Sequence, residues 1–178
     1  MAKWNLDPVH SSAVFEVRHM MVSWVTGRFN KLSGTLLFDP ADVAKSFVEV
    51  EIDAASIYTG QEARDSDLKS ANYLDVARFP HITFRSTHVA VAGMDHCKVQ
   101  GDLAIHGVTR PVMLDVRYAG PSQFQDDKEL FTTFGFRATA DINREDFGMT
   151  TNLEIESGGF MVGKHFFLIL NVEADLIT

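Results

Sequence analysis

The 178-residue chain has the length of one domain, 46% of its residues are hydrophobic and fourteen are phenylalanine, so it carries the apolar material for a core and is no disordered tail. A formal net charge of −8 repels polyphosphate backbones and anionic lipid surfaces, which makes nucleic acid a poor partner. The sequence has no apolar run of membrane-spanning length, so stable membrane insertion is not expected, and its single cysteine, Cys97, excludes an internal disulfide.

The start, Met1-Ala2-Lys3-Trp4-Asn5, lacks the apolar stretch and small-residue cleavage site of a secretory signal; the expected location is cytoplasmic, or periplasmic if a leader was removed. Period-two alternation then dominates the chain, the mark of strands with one buried and one wet face. In residues 13–19, Phe15 and Val17 share a face while Glu16 and Arg18 take the other. A second strand is expected at 35–38, and the clearest one at 47–53, where Val48, Val50 and Ile52 point inward and the acids outward. Residues 39–75 hold nine Asp or Glu against three Lys or Arg, which reads as a solvated acidic face, with a docking surface for a basic partner as the alternative.

The alternation breaks between Thr59 and Val76. Residues 60–72 are poor in β-branched side chains and place Asp65 and Lys69 at i,i+4 spacing, which predicts a short helix able to cap one mouth of a barrel. Pro80 then ends the crossing and His81 opens the next strand. Further strands are predicted at 81–88, 98–106, 112–118, 131–142 and 165–176, most separated by Gly, Asp, Asn or Pro. Cys97 falls in Met94-Asp95-His96-Cys97-Lys98, read as a turn carrying an idle thiol. Eight antiparallel strands with little helix to cover a sheet are best relieved of exposed edges by closing on themselves, so the expected class is an all-β, mainly antiparallel barrel. Phe134 and Phe136 share one inward face and Phe166, Leu168 and Leu170 another, a pattern that fits a dense core or a cavity wall.

Catalytic signatures are weak. Seven histidines are scattered along the chain without metal-ligand spacing, no Gly-x-Ser-x-Gly is present, and the carboxylate pairs Asp126-Asp127 and Glu145-Asp146 fall in expected turns. Three groups remain: Arg64-Asp65 at the helix start, the segment 101–111 from Gly101 to Pro111, and Asn143-Arg144-Glu145-Asp146-Phe147-Gly148. Read structurally they are turn chemistry, in which Gly107 supplies a positive φ and Arg144 bridges loop carbonyls or an acid.

Taken in order, Trp4-Asn5-Leu6-Asp7-Pro8-Val9-His10-Ser11, Arg18-His19-Met20, Gly27-Arg28-Phe29, Thr59-Gly60 with Arg64-Asp65, Phe79-Pro80-His81-Ile82-Thr83-Phe84, His106-Gly107-Val108-Thr109-Arg110-Pro111-Val112 and Asn143-Arg144-Glu145-Asp146-Phe147-Gly148 resemble the YceI-like, polyisoprenoid-binding family over nearly the whole chain. The resemblance implies an extended, lipocalin-like eight-stranded barrel with a helix beside one end, often dimeric, around a polyisoprenoid, an isoprenoid quinone or a fatty-acyl chain. It implies no agreed reaction and no further cofactor. The expected tunnel walls are Phe15, Val17, Val50, Ile52, Ile82, Phe84, Leu103, Ile105, Phe134, Phe136, Phe166 and Leu168, with His19, Arg64, Asp65 and Arg144 as polar groups at the mouth. Two rivals are an enzyme acting on an amphiphile, with a metal on His19 or His106, and a filled barrel whose acidic stretch docks a partner.

Overall fold

The computed structural model describes residues 1–125 and 130–177; the Asp126-Asp127 pair lies outside them. Among the described residues eleven strands are formed: β1 (Ala2–Leu6), β2 (Ser12–His19), β3 (Ser23–Phe29), β4 (Leu32–Phe38), β5 (Phe47–Asp53), β6 (Ile57–Tyr58), β7 (His81–Val91), β8 (His96–Ile105), β9 (Val108–Gln125), β10 (Leu130–Asn143) and β11 (Val162–Leu176). Pairing runs β1-β4-β5-β7-β8-β9-β10-β11 and returns from β11 to β1, which closes an eight-stranded antiparallel ring. The remaining three are continuations. β2 follows β1 along the same edge of β11, β3 pairs with β2 as β4 pairs with β1, and β6 pairs with β3 as β5 pairs with β4.

Each of the first three staves is therefore broken in the middle, and the cause is local. Pro8 has no N–H to give the ladder, and the Asp7 carboxylate turns back to accept from Val9 N at 2.7 Å. Across the break the register slips by two, from Asn5↔Thr35 to Ala13↔Phe29. On the neighbouring stave the breach at Asn30 and Lys31 is filled by Ser56, whose Oγ accepts from both backbone N–H groups at 3.1 Å. Predicted strands 13–19, 35–38 and 47–53 are the parts of these staves with clean alternation; β1 and β3 carry too little of it to be read.

The predicted helix is α1 (Glu62–Lys69), with the Gln61 side chain accepting from Arg64 N at its start. Asp65 does not pair with Lys69. Its buried carboxylate accepts from Thr59 N at 2.9 Å and Thr59 Oγ1 at 2.5 Å, which ties the helix to the end of β6. The segment 101–111 is mostly strand. Only His106 and Gly107 form the turn, both at positive φ (53° and 72°), as a two-residue hairpin requires. A β-carbon on Gly107 would stand 2.4 Å from the Phe79 ring.

Cys97 is also displaced from its expected place. It is the second residue of β8, buried and inward-facing, because the chain turns before His96. Part of the acidic stretch is paired where it stands. Asp42 pairs with Lys45, Glu49 with Arg85 at 3.3 Å, Glu51 with His81 at 3.4 Å and Asp53 with Lys31 at 3.7 Å. Among the described residues no helix is long and apolar enough to cross a membrane.

Candidate ligand-binding cavity

The interior has two parts of different character. At the end away from α1, Phe38 meets Tyr118, Phe134 and Phe136 edge-on at centroid distances of 5.3, 5.0 and 5.2 Å, and Trp4 meets Phe134 at 5.2 Å. These are close to the preferred T-shaped geometry, so this end is a packed plug. Its polar edges are satisfied: Trp4 Nε1 donates to Phe38 O at 3.2 Å and Tyr118 Oη to Met94 O at 2.8 Å.

Toward α1 the same alternation leaves space. A cavity of about 130 Å³ is lined by Phe15, Val17, Val50, Ile52, Ile82, Phe84, Leu103, Ile105, Phe166 and Leu168, together with Arg144. A second, of about 90 Å³, lies nearer the plug and includes Phe136 and Cys97 in its wall. Val50, Phe84, Leu114 and Leu170 belong to both walls, so the chambers meet at a waist. Voids of about 150 Å³ lined by such side chains admit a benzene-sized guest. Between Phe166 in the first wall and Val172 in the second, β11 advances about 20 Å along its own direction.

Two glycines help to keep the bore open. Phe15 lies flat over Gly27, whose hypothetical β-carbon would sit 2.2 Å from the ring, and Phe84 lies over Gly101, where the distance would be 2.4 Å. With no side chain beneath them, both rings lie against the wall; any larger residue drives the ring toward the lumen or the strands apart.

The remaining sequence-derived residues fall elsewhere. Phe134 is 2% exposed and belongs to the plug, lining neither chamber. His19 ends β2, half-buried, opposite Ser23 and Val162. Arg64 is exposed and wraps Thr59, donating from Nε to Oγ1 at 2.7 Å and from Nη2 to O at 2.9 Å. Asp65 serves the same Thr59, so neither reaches the cavity. Neither His19 nor His106 joins a group of ligand atoms able to share an ion; among the described residues only Asp7, His10 and Glu173 do, on the outer surface.

Sequence reasoning missed the cover. Leu68 on α1, with Tyr73 and Leu74 just beyond it, forms part of the first chamber's wall. Their signal was slight, because they stand in a segment held by backbone bonds such as Leu74 N to Leu68 O at 3.0 Å and not by periodicity. Arg144 is 4% exposed. Its Nε donates to Gly163 O at 2.9 Å and its Nη1 to Met149 O, which joins β10 to the entrance of β11. The guanidinium carbon lies 5.9 Å from the Tyr73 ring centroid. Burial lowers the Arg144 pKa and raises those of Tyr73 and Cys97, so the thiol in the second chamber is held protonated.

Comparison with known proteins agrees with this architecture. The YceI-like domain profile matches residues 4–174. The protein YceI of Salmonella newport is 37% identical over 154 residues, covering 85% of this chain and 78% of its own. Among solved structures, BcnA of Burkholderia cenocepacia superposes with a TM-score of 0.80 at 25% identity, over 94% of this chain and 98% of its own. A polyisoprenoid binding domain from Saccharophagus degradans, at 15% identity, shares the fold with a TM-score of 0.71 over 99% of this chain and 100% of its own. With a family profile spanning nearly all of its staves and a relative of this identity, the chain belongs to the YceI-like domain family.

Proposed function

We propose that this barrel binds one long apolar molecule, an isoprenoid, isoprenoid quinone or fatty-acyl chain, and carries, stores or sequesters it. The observation behind this reading is the pair of hydrocarbon-lined chambers that meet at the waist of Val50, Phe84, Leu114 and Leu170. The Saccharophagus degradans neighbour described as a polyisoprenoid binding domain lends support of the same kind. About ten methylenes buried there are worth roughly 8 kcal/mol gross. Ordering and association subtract several, which still leaves micromolar affinity within reach.

The role is binding and not catalysis. What supports this is a wall of carbon on both chambers and a wall thiol held protonated. We also read the protein as a homodimer. The β2–β3 hairpin tip exposes Met20, Met21, Val22 and Trp24 beside Leu153, and Met20 N bonds Met161 O at 2.8 Å, which gives a second copy an apolar surface to cover.

The deciding experiment is organic extraction of gently purified protein followed by mass spectrometry, then reloading of stripped protein with an isoprenoid quinone or a long-chain acid. Stoichiometric lipid and a ligand-dependent rise in Tm are expected. Repeated preparations without lipid, and no uptake on reloading, would refute the proposal.

A further inference from the structure

Resting on the cargo reading, we infer that the bound molecule ends in a single anionic oxygen group, a carboxylate, seated on the Arg144 guanidinium at the α1 end, with its chain running through the waist toward the aromatic plug. Arg144 is the charged residue in the wall of the first chamber, and it is 4% exposed. Its hydrogen-bond partners are neutral. Nε and Nη1 are used on the carbonyls of Gly163 and Met149, and Tyr73 lies beside the guanidinium. Glu145, the acid next in sequence, acts on the guanidinium only through space and is engaged by Lys164 at 3.2 Å, and no ion pair to Arg144 forms among the described residues.

A guanidinium stays charged in a protein, and a buried charge without a counter-ion is costly. Arg144 Nη2 also lacks any hydrogen-bond partner, one of two such buried side-chain atoms among the described residues. The other is Ser46 Oγ, whose residue lines the second chamber. Both residues stand at the walls of the cavity, one in each chamber, yet only one carries charge. A monoanion satisfies Nη2 and neutralises the site together; a diphosphate would bring more charge than one arginine balances, and an alcohol or ester would leave the guanidinium uncompensated. The chamber surface is carbon and Nη2 lies covered behind it, so seating the head group takes a side-chain shift at that wall.

The test compares head groups on one chain length. Stripped full-length protein is titrated calorimetrically with hexadecanoic acid at alkaline pH, then with hexadecan-1-ol and methyl hexadecanoate. The acid is expected to bind at least tenfold tighter than either, a preference that Arg144→Lys lowers and Arg144→Met removes, while Arg64→Met leaves it intact. Because Arg144 also ties two segments together, Arg144→Met is used only if its melting remains cooperative; otherwise the comparison on the unaltered protein decides. Equal or tighter binding of the alcohol or ester overturns the inference and leaves the cargo reading standing. Loss of the preference in Ser46→Ala instead of Arg144→Met also overturns it, by placing the head group at the other end. Failure of all three compounds to bind overturns the inference, and the cargo reading falls with it only if an isoprenoid quinone is refused as well.

Discussion

The two ends of the barrel are built from one alternating pattern and differ in what fills it. Near the plug, Phe38 stands among three rings at 5.0–5.3 Å, and the polar edges of Trp4 and Tyr118 find backbone carbonyls. Near α1, aliphatic side chains and several rings, two of them laid over glycines, leave about 130 Å³ open, and a buried arginine keeps one nitrogen unpaired. Close packing and satisfied polar groups are what stability favours, so one end serves the fold and the other departs from that optimum where the cargo is proposed.

The contrast is broken most directly by Phe38→Ala. Removing the ring that the others pack on should cost about 3–5 kcal/mol in urea unfolding, and a loss below about 1 kcal/mol would show that the plug is not a packed core. Next in size is Gly101→Val, which lifts the Phe84 ring into the waist. Overpacking of this kind costs about 1–3 kcal/mol, and affinity for a sixteen-carbon ligand should fall at least tenfold while a short chain that stops before the waist is spared. Equal losses for both lengths would mean that the chambers do not act in series.

A smaller effect concerns Cys97. Burial raises its pKa, so alkylation at neutral pH should be slower than for a free thiol, and a chain reaching the second chamber should slow it several-fold further. An unchanged rate on loading would confine the ligand to the first chamber. The least effect belongs to the break between β1 and β2, outside both chambers, where His10 Nδ1 lies 2.5 Å from Asp7 Oδ2. The Asp7 hydrogen bond, aided by Glu173 and Asp175, raises the His10 pKa, and the same bond lowers that of Asp7. The histidine contribution is complete below its unfolded pKa and is lost as pH rises through the raised value; that of the aspartate is lost as pH falls through its lowered one. NMR titration of Asp7→Asn should return His10 toward the ordinary histidine range.

Sequence periodicity located part of every stave, because half-buried strands must alternate wherever one face meets the core. It failed where other forces act. β1 and β3 sit beside the Pro8 and Asn30 breaks, and the β2–β3 tip places Met20 and Met21 at positive φ (49° and 61°), which composition does not announce. At the site, alternation says which residues face inward but not how far along the axis they stand, so Phe134, which lines neither chamber, was grouped with Phe136, which borders both plug and second chamber. Arg64 and Asp65 carried a strong local pattern whose purpose is to hold Thr59. Arg144 was legible as a bridge to loop carbonyls or an acid, whereas its unpaired nitrogen depends on how β10 and β11 meet in space.

β11 is the seam of the molecule, joined to β10 along one side and to both β1 and β2 along the other. Partners separated by most of the chain's length must meet before the wall is sealed, a topology that makes closure late and slow. Without residues 162–176 the ring cannot close, because β10 has no other partner on that side and β1 and β2 lose theirs. Under the proposed function, cargo is enclosed only after synthesis has passed β11.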